Sequence, residues 1–145
     1  VDIVVDATKD LLLNVLKYHP FLIKPNNFEL GEMFGVTLHS DEEIEEYAKR
    51  LQALGARNVA ISMAGDGSML LTETGETYRM GVPKGKVVNS VGAGDSMVAG
   101  FMTGWMEKQD YEHAFRMGVA TGSASAFSEY LATRPEVEEV YKQLV

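Results

Sequence analysis

The sequence predicts an α/β protein with a mainly parallel sheet covered by helices and a short antiparallel appendage. Three observations predict it. Val1 to Val5 is apolar and largely β-branched, Leu12, Val15 and Leu16 then recur at helical spacing, and Phe21-Leu22-Ile23 is a second β-type run. Such a strand-helix-strand unit is the signature of a parallel sheet. The opening strand lacks polar alternation, as expected of one buried on both faces. Further on, Gly65-Asp66-Gly67 and Thr72 to Gly75 are turn sequences between short β-type runs, which makes those runs antiparallel.

Each element follows in order. A helix is expected over Lys9 to Tyr18, and Pro20 marks the return to the second strand. Asn26 and Glu29 have capping-box spacing, and Pro25 discourages helix before them. Glu29 at the carboxyl end of a strand is also where a magnesium ion or its waters would be held, and the two roles are compatible. Ser40 to Glu43 is a second capping box. The helix it opens runs to Leu54 with Ile44, Tyr47, Ala48 and Leu51 on one face, and Gly55 stops it. Asn58 to Met63 is a strand, Met69 to Thr72 another and Glu76 to Met80 a third, followed by a loop at Val82 to Gly85.

The stretch from Lys86 to Met106 organises the chain. Lys86-Val87-Val88 is a short β-type run, Asn89-Ser90-Val91-Gly92-Ala93-Gly94-Asp95 a turn, and Met97, Val98, Phe101, Met102, Trp105 and Met106 an apolar helical stripe. Glycines at a strand-to-helix turn let successive N–H groups converge with the positive end of the helix dipole, a site for a phosphoryl group. Asp95 beside such a group would repel it, unless its carboxylate serves as base for an attacking hydroxyl. The bland alternative is a glycine turn whose aspartate caps a helix. The dinucleotide fingerprint fails because Met97 stands where its third glycine belongs. A Walker-type loop fails too, since Gly81 to Val87 is one residue short and ends in valine.

Ser96, Gly100 and Gly104 fall four apart and read as packing positions. Asp110 caps a Gly/Ala/Ser-rich helix bearing Gly118, Gly122 and Ser123, which either packs tightly or leaves room for a flat base. Thr133 to Glu136 opens the last helix, with Val137, Val140, Tyr141 and Leu144 as its buried stripe. His19, His39 and His113 have no paired metal spacing and read as surface residues.

Composition excludes several function classes. The 145 residues are 46% hydrophobic and 23% charged, ordinary for a globular protein. No run approaches the ~18 apolar residues of a membrane span, and the first residues do not resemble a signal peptide, so a cytoplasmic protein is expected. The net charge of −8 argues against a nucleic-acid partner. Having no cysteine excludes disulfides and thiolate chemistry.

Asn89-Ser90-Val91-Gly92-Ala93-Gly94-Asp95-Ser96 closely resembles the C-terminal signature of the ribokinase-like (PfkB) carbohydrate kinases. Two more segments match that family in the same order. Asn26-Asn27-Phe28-Glu29 resembles its N-x-x-E magnesium motif, and Ser62-Met63-Ala64-Gly65-Asp66-Gly67 resembles its nucleotide loop, with Ala64 replacing the usual glycine. Asn89-Ser90 resembles the phosphosugar branch, the 1-phosphofructokinases and tagatose-6-phosphate kinases.

The resemblance implies a three-layer α/β/α sandwich and ATP-dependent phosphorylation of a sugar-phosphate hydroxyl, with fructose 1-phosphate the first choice of acceptor; tagatose 6-phosphate, another sugar or a nucleoside are the alternative acceptors, and a non-catalytic nucleotide-binding module is the alternative class. It implies that Asp95 is the base, that Ser62, Gly65, Gly67, Ser90, Val91, Gly92, Ala93, Gly94, Gly118, Gly122 and Ser123 surround ATP, and that Asn26 and Glu29 serve Mg2+. It also implies that residues 1–145 form a single nucleotide-binding C-terminal part, without the N-terminal sugar-binding part and lid. Such a part is expected to be inactive alone, and its first strand would leave an edge open to homo-oligomer formation. A Gly-containing loop common in ribokinase is missing between Ser128 and Thr133, which leaves open whether a monovalent cation is needed.

Overall fold

A computed structural model describes residues 4–5, 14–63, 66–83, 93–127 and 133–144, with only the backbone described at 4–5 and 93–95. The chain forms two compact units, Val1–Arg79 and Met80–Val145.

The first unit is built on a five-stranded sheet in the order β1 (Val4–Val5), β2 (Leu22–Ile23), β3 (Asn58–Ser62), β4 (Ser68–Leu71) and β5 (Thr77–Met80). β1 pairs parallel with β2, Val4 opposite Leu22, and β2 parallel with β3, Leu22 opposite Asn58. β3 and β4 are antiparallel, with Val59 opposite Leu71 and Ser62 opposite Ser68. The parallel sheet and its antiparallel appendage are therefore as the sequence predicts.

Two helices, α1 (Asn27–Phe34) and α2 (Asp41–Leu54), connect β2 to β3. Their buried residues Leu30, Ile44, Ala48 and Leu51 pack with Ile23, Val59, Ile61, Met63, Met69 and Leu71 into one core. Gly55 ends α2 at φ +137°, and a Cβ there would collide with the Leu16 carbonyl oxygen. Both facts favour glycine. Asn58, fully buried at the start of β3, donates to the Phe21 carbonyl at 2.8 Å and accepts from the Glu73 amide at 2.9 Å. Its amide is thereby satisfied away from water.

Three helices make the second unit, α3 (Ala93–Lys108), α4 (Tyr111–Ala126) and α5 (Arg134–Leu144). Small residues let α3 and α4 approach closely. A Cβ on Gly104 would stand 2.9 Å from Ala114 Cα, and one on Gly100 would collide with the Thr121 hydroxyl. Asp110 caps α4, accepting from the Glu112 amide at 2.9 Å and the His113 amide at 3.3 Å. Met117, Ala120 and Ala124 of α4 bury against Val137 and Val140 of α5.

Four expectations change. The helix expected up to Tyr18 ends as a 3-10 turn over Leu16–Tyr18, closed by left-handed His19 at φ 52°; residues 9–13 lie outside the described residues. α3 begins at Ala93, so Ala93 and Gly94 are helical rather than part of the turn. Alanine is the best helix former, and an aspartate as the third residue of the first turn favours that start. Met106, assigned to the apolar stripe, is 78% exposed because the stripe rotates away from the core by the last turn of α3. His113 is not a surface residue: its side chain is 12% exposed, Nδ1 lies 2.9 Å from the Tyr141 hydroxyl and Nε2 is buried. The strand expected at Lys86 to Val88 lies outside the described residues.

Candidate active site

β2 ends at Ile23, and Pro25 keeps the chain extended so that α1 starts beyond it. Asn26 is the N-cap. Its Oδ1 accepts from the Glu29 amide at 2.8 Å, and Glu29 Oε1 accepts from the Asn26 amide at 2.9 Å. Glu29 is half-buried and spends one carboxylate oxygen on this box; Oε2 has no hydrogen bond among the described residues.

Beyond the named strands, Asn26 forms a parallel bridge with Ser62, whose amide donates to the Pro25 carbonyl at 3.2 Å. The predicted metal segment and the predicted nucleotide loop are thus joined through their backbones at the carboxyl ends of β2 and β3. Ligands of open α/β sheets bind at such strand ends. Sequence reasoning did not draw this link, although two neighbouring parallel strands that end in motif residues are the signal that could have found it.

The loop itself is a tight turn. The Met63 amide donates to the Gly67 carbonyl at 2.9 Å, the Asp66 amide donates to the Met63 carbonyl at 2.9 Å, and Gly67 has φ +98°. Ala64 and Gly65 lie outside the described residues. Beside the turn is a polar cavity of about 210 Å³ lined by Asn27, Ser40, Asp41, Met63, Asp66 and Arg79. Arg79 Nε donates to Asp41 Oδ2 across it at 3.0 Å. No group of three or more His, Cys, Asp or Glu side chains is set to hold a metal among the described residues; magnesium commonly takes only one or two protein carboxylates, with water and phosphate oxygens as its other ligands.

In the second unit, Ala93, Gly94 and Asp95 occupy the first turn of α3. The first amides of a helix have no acceptor within it and carry the positive end of its dipole. Ser90, Val91 and Gly92 lie outside the described residues. Gly118 is a packing residue: a Cβ there would stand 2.9 Å from the Met97 carbonyl oxygen and 3.3 Å from Phe101 Cβ. Gly122 is buried and Ser123 half-buried, its carbonyl accepting from the Phe127 amide at 3.0 Å. An apolar groove of about 410 Å³ opens where α4 ends and α5 begins, lined by Ala124, Phe127, Pro135, Glu136, Glu139 and Val140.

Of the predicted residues, Asn26, Glu29, Ser62 and Gly67 therefore meet in the first unit. Ala93, Gly94, Asp95, Gly118, Gly122 and Ser123 belong to the second. The first set offers a carboxylate oxygen and a glycine turn, the second the first turn of a helix in which Asp95 stands.

Comparison with known proteins shows the family. The model of the pfkB family carbohydrate kinases matches residues 1–137. The 1-phosphofructokinase of Bacillus subtilis is 49% identical over 98% of this chain, which covers 46% of that protein. The D-tagatose-1-phosphate kinase of Bacillus licheniformis is 36% identical over 98% of this chain and 47% of its own length. A crystal structure of a candidate phosphofructokinase from Staphylococcus aureus superposes with a TM-score of 0.94 at 43% identity, over 99% of this chain and 47% of that one. The chain spans about half the length of the curated relatives it matches, and its fold is the ribokinase-like α/β fold.

Proposed function

Because this chain belongs to the pfkB family of carbohydrate kinases, we propose that the full-length protein transfers the γ-phosphoryl group of ATP to the free terminal hydroxyl of fructose 1-phosphate, giving fructose 1,6-bisphosphate. The observation that carries this reading is Asp95 in the first turn of α3, in a chain 49% identical to a 1-phosphofructokinase.

The chain's residues divide the work. Asp95 accepts the proton of the attacking hydroxyl as its oxygen bonds to phosphorus. The amides of Val91 to Asp95 and the α3 dipole stabilise the charge spreading over the transferred group. Ser62, Gly65 and Gly67 border the nucleotide, with Gly122 and Ser123 nearer its base. Glu29, whose Oε1 accepts from the Asn26 amide, would help to hold Mg2+, which when bound would neutralise phosphate charge. A protein of net charge −8 needs such local donors to bind an anion.

In this reading residues 1–145 are the nucleotide-binding C-terminal part, and the acceptor is read largely by other residues. Supply of ATP and a phosphosugar places the reaction in the cytoplasm.

A second acceptor has its own support, the 36% identity to a D-tagatose-1-phosphate kinase. Tagatose 1-phosphate differs from fructose 1-phosphate only in configuration at C4 and offers the same C6 hydroxyl. Tagatose 6-phosphate, with that oxygen blocked, is the less favoured acceptor. A coupled ADP-release assay of the full-length protein across the three phosphosugars tests the reading. The highest kcat/KM is expected for fructose 1-phosphate. Turnover confined to an unphosphorylated sugar or a nucleoside would contradict the proposal.

A further inference from the structure

Eight methionines are spread along the chain, and their sulfurs are not equally accessible. Met63, Met69, Met97 and Met117 are 3%, 3%, 8% and 5% exposed, and Met33, Met80 and Met102 are half-buried. Met106 is 78% exposed, the most open large apolar side chain among the described residues. It sits in the last turn of α3, between Trp105, whose ring stacks on Tyr111 at 4.3 Å, and the exposed Glu107 and Lys108.

We propose that Met106 is a reversible oxidation site, the residue at which a peroxide first reacts with this protein. The thioether sulfur attacks one peroxide oxygen and the O–O bond breaks. Sulfur gains that oxygen and loses two electrons as sulfoxide; the other oxygen leaves, protonated by solvent, as water or an alcohol. A sulfoxide reductase with a thiol electron donor reverses the change. Selectivity comes from access, because a core thioether reacts only when local opening exposes it.

The consequence for the fold is small. Sulfoxide is polar, and at Met106 it remains in water, whereas at Met69 or Met97 it would enter the core and disrupt packing. Met106 is also 106 − 95 = 11 residues beyond Asp95 on α3, roughly 16 Å along a helix rising ~1.5 Å per residue. Oxidation there leaves the first turn of α3 untouched. The inference is independent of the proposed kinase activity.

The test is a hydrogen peroxide time course on the full-length protein, read by mass spectrometry of its peptides. Met106 sulfoxide is expected first, on the order of tenfold or more ahead of Met63, Met69, Met97 and Met117. Met106→Leu should remove that fast phase and leave the slow oxidations unchanged. The singly oxidised protein should keep its thermal midpoint, and a methionine sulfoxide reductase should restore the original mass. A buried methionine oxidising as fast as Met106, a fast phase surviving in Met106→Leu, or unfolding in step with Met106 oxidation would each overturn the proposal.

Discussion

Glu29 gives one carboxylate oxygen to the Asn26 amide and keeps the other available, so cap and metal ligand are compatible roles for one side chain. Glu29→Gln preserves an acceptor for that amide and removes the charge. In the full-length protein the magnesium concentration for half-maximal ATP turnover is expected to rise about tenfold or more, as the loss of a charged ligand implies, with little change in thermal midpoint. An unchanged magnesium titration would remove Glu29 from the metal site. Gly67, at φ +98°, is a second sensitive residue. Gly67→Ala should cost about 1–2 kcal/mol of stability, measurable by urea denaturation. The helix caps at Asn26 and Ser40 were legible in the sequence because they are settled between residues three apart, but only Asn26 and Glu29 form the reciprocal box; the Glu43 carboxylate meets the Ser40 hydroxyl instead of its amide. The burial of His113 and the exposure of Met106 were not, because each depends on which helix covers it.

At the scale of elements, helix-helix contact depends on missing side chains. A methyl group on Gly100 meets both the Thr121 hydroxyl and the Met117 carbonyl oxygen, the latter at 2.6 Å. Gly100→Ala is therefore expected to lower stability by about 1–3 kcal/mol through overpacking, despite alanine's better helix propensity. A melting temperature equal to or above that of the parent would show that the α3–α4 contact relaxes freely. The four-residue spacing of Ser96, Gly100 and Gly104 revealed this close contact in advance, and Asp66-Gly67 revealed the β3–β4 hairpin. The start of α3 was legible only to within two residues, because glycine permits both turn and helix.

For the whole molecule, the fold class followed from the alternation of periods in the sequence, and the candidate residues from three motifs in a fixed order. Acceptor identity did not follow, because no motif here reads the sugar. A protein made of these 145 residues alone is expected to give no detectable phosphorylation of fructose 1-phosphate; robust turnover would show that the acceptor is read within them. The central claim concerns Asp95, in the first turn of α3, as general base, and its most direct test is kcat of the full-length Asp95→Asn protein at saturating ATP, Mg2+ and fructose 1-phosphate. Loss of a general base predicts a fall of about 10²–10⁴ with an unchanged far-UV spectrum, whereas turnover within roughly tenfold of the parent would contradict the account.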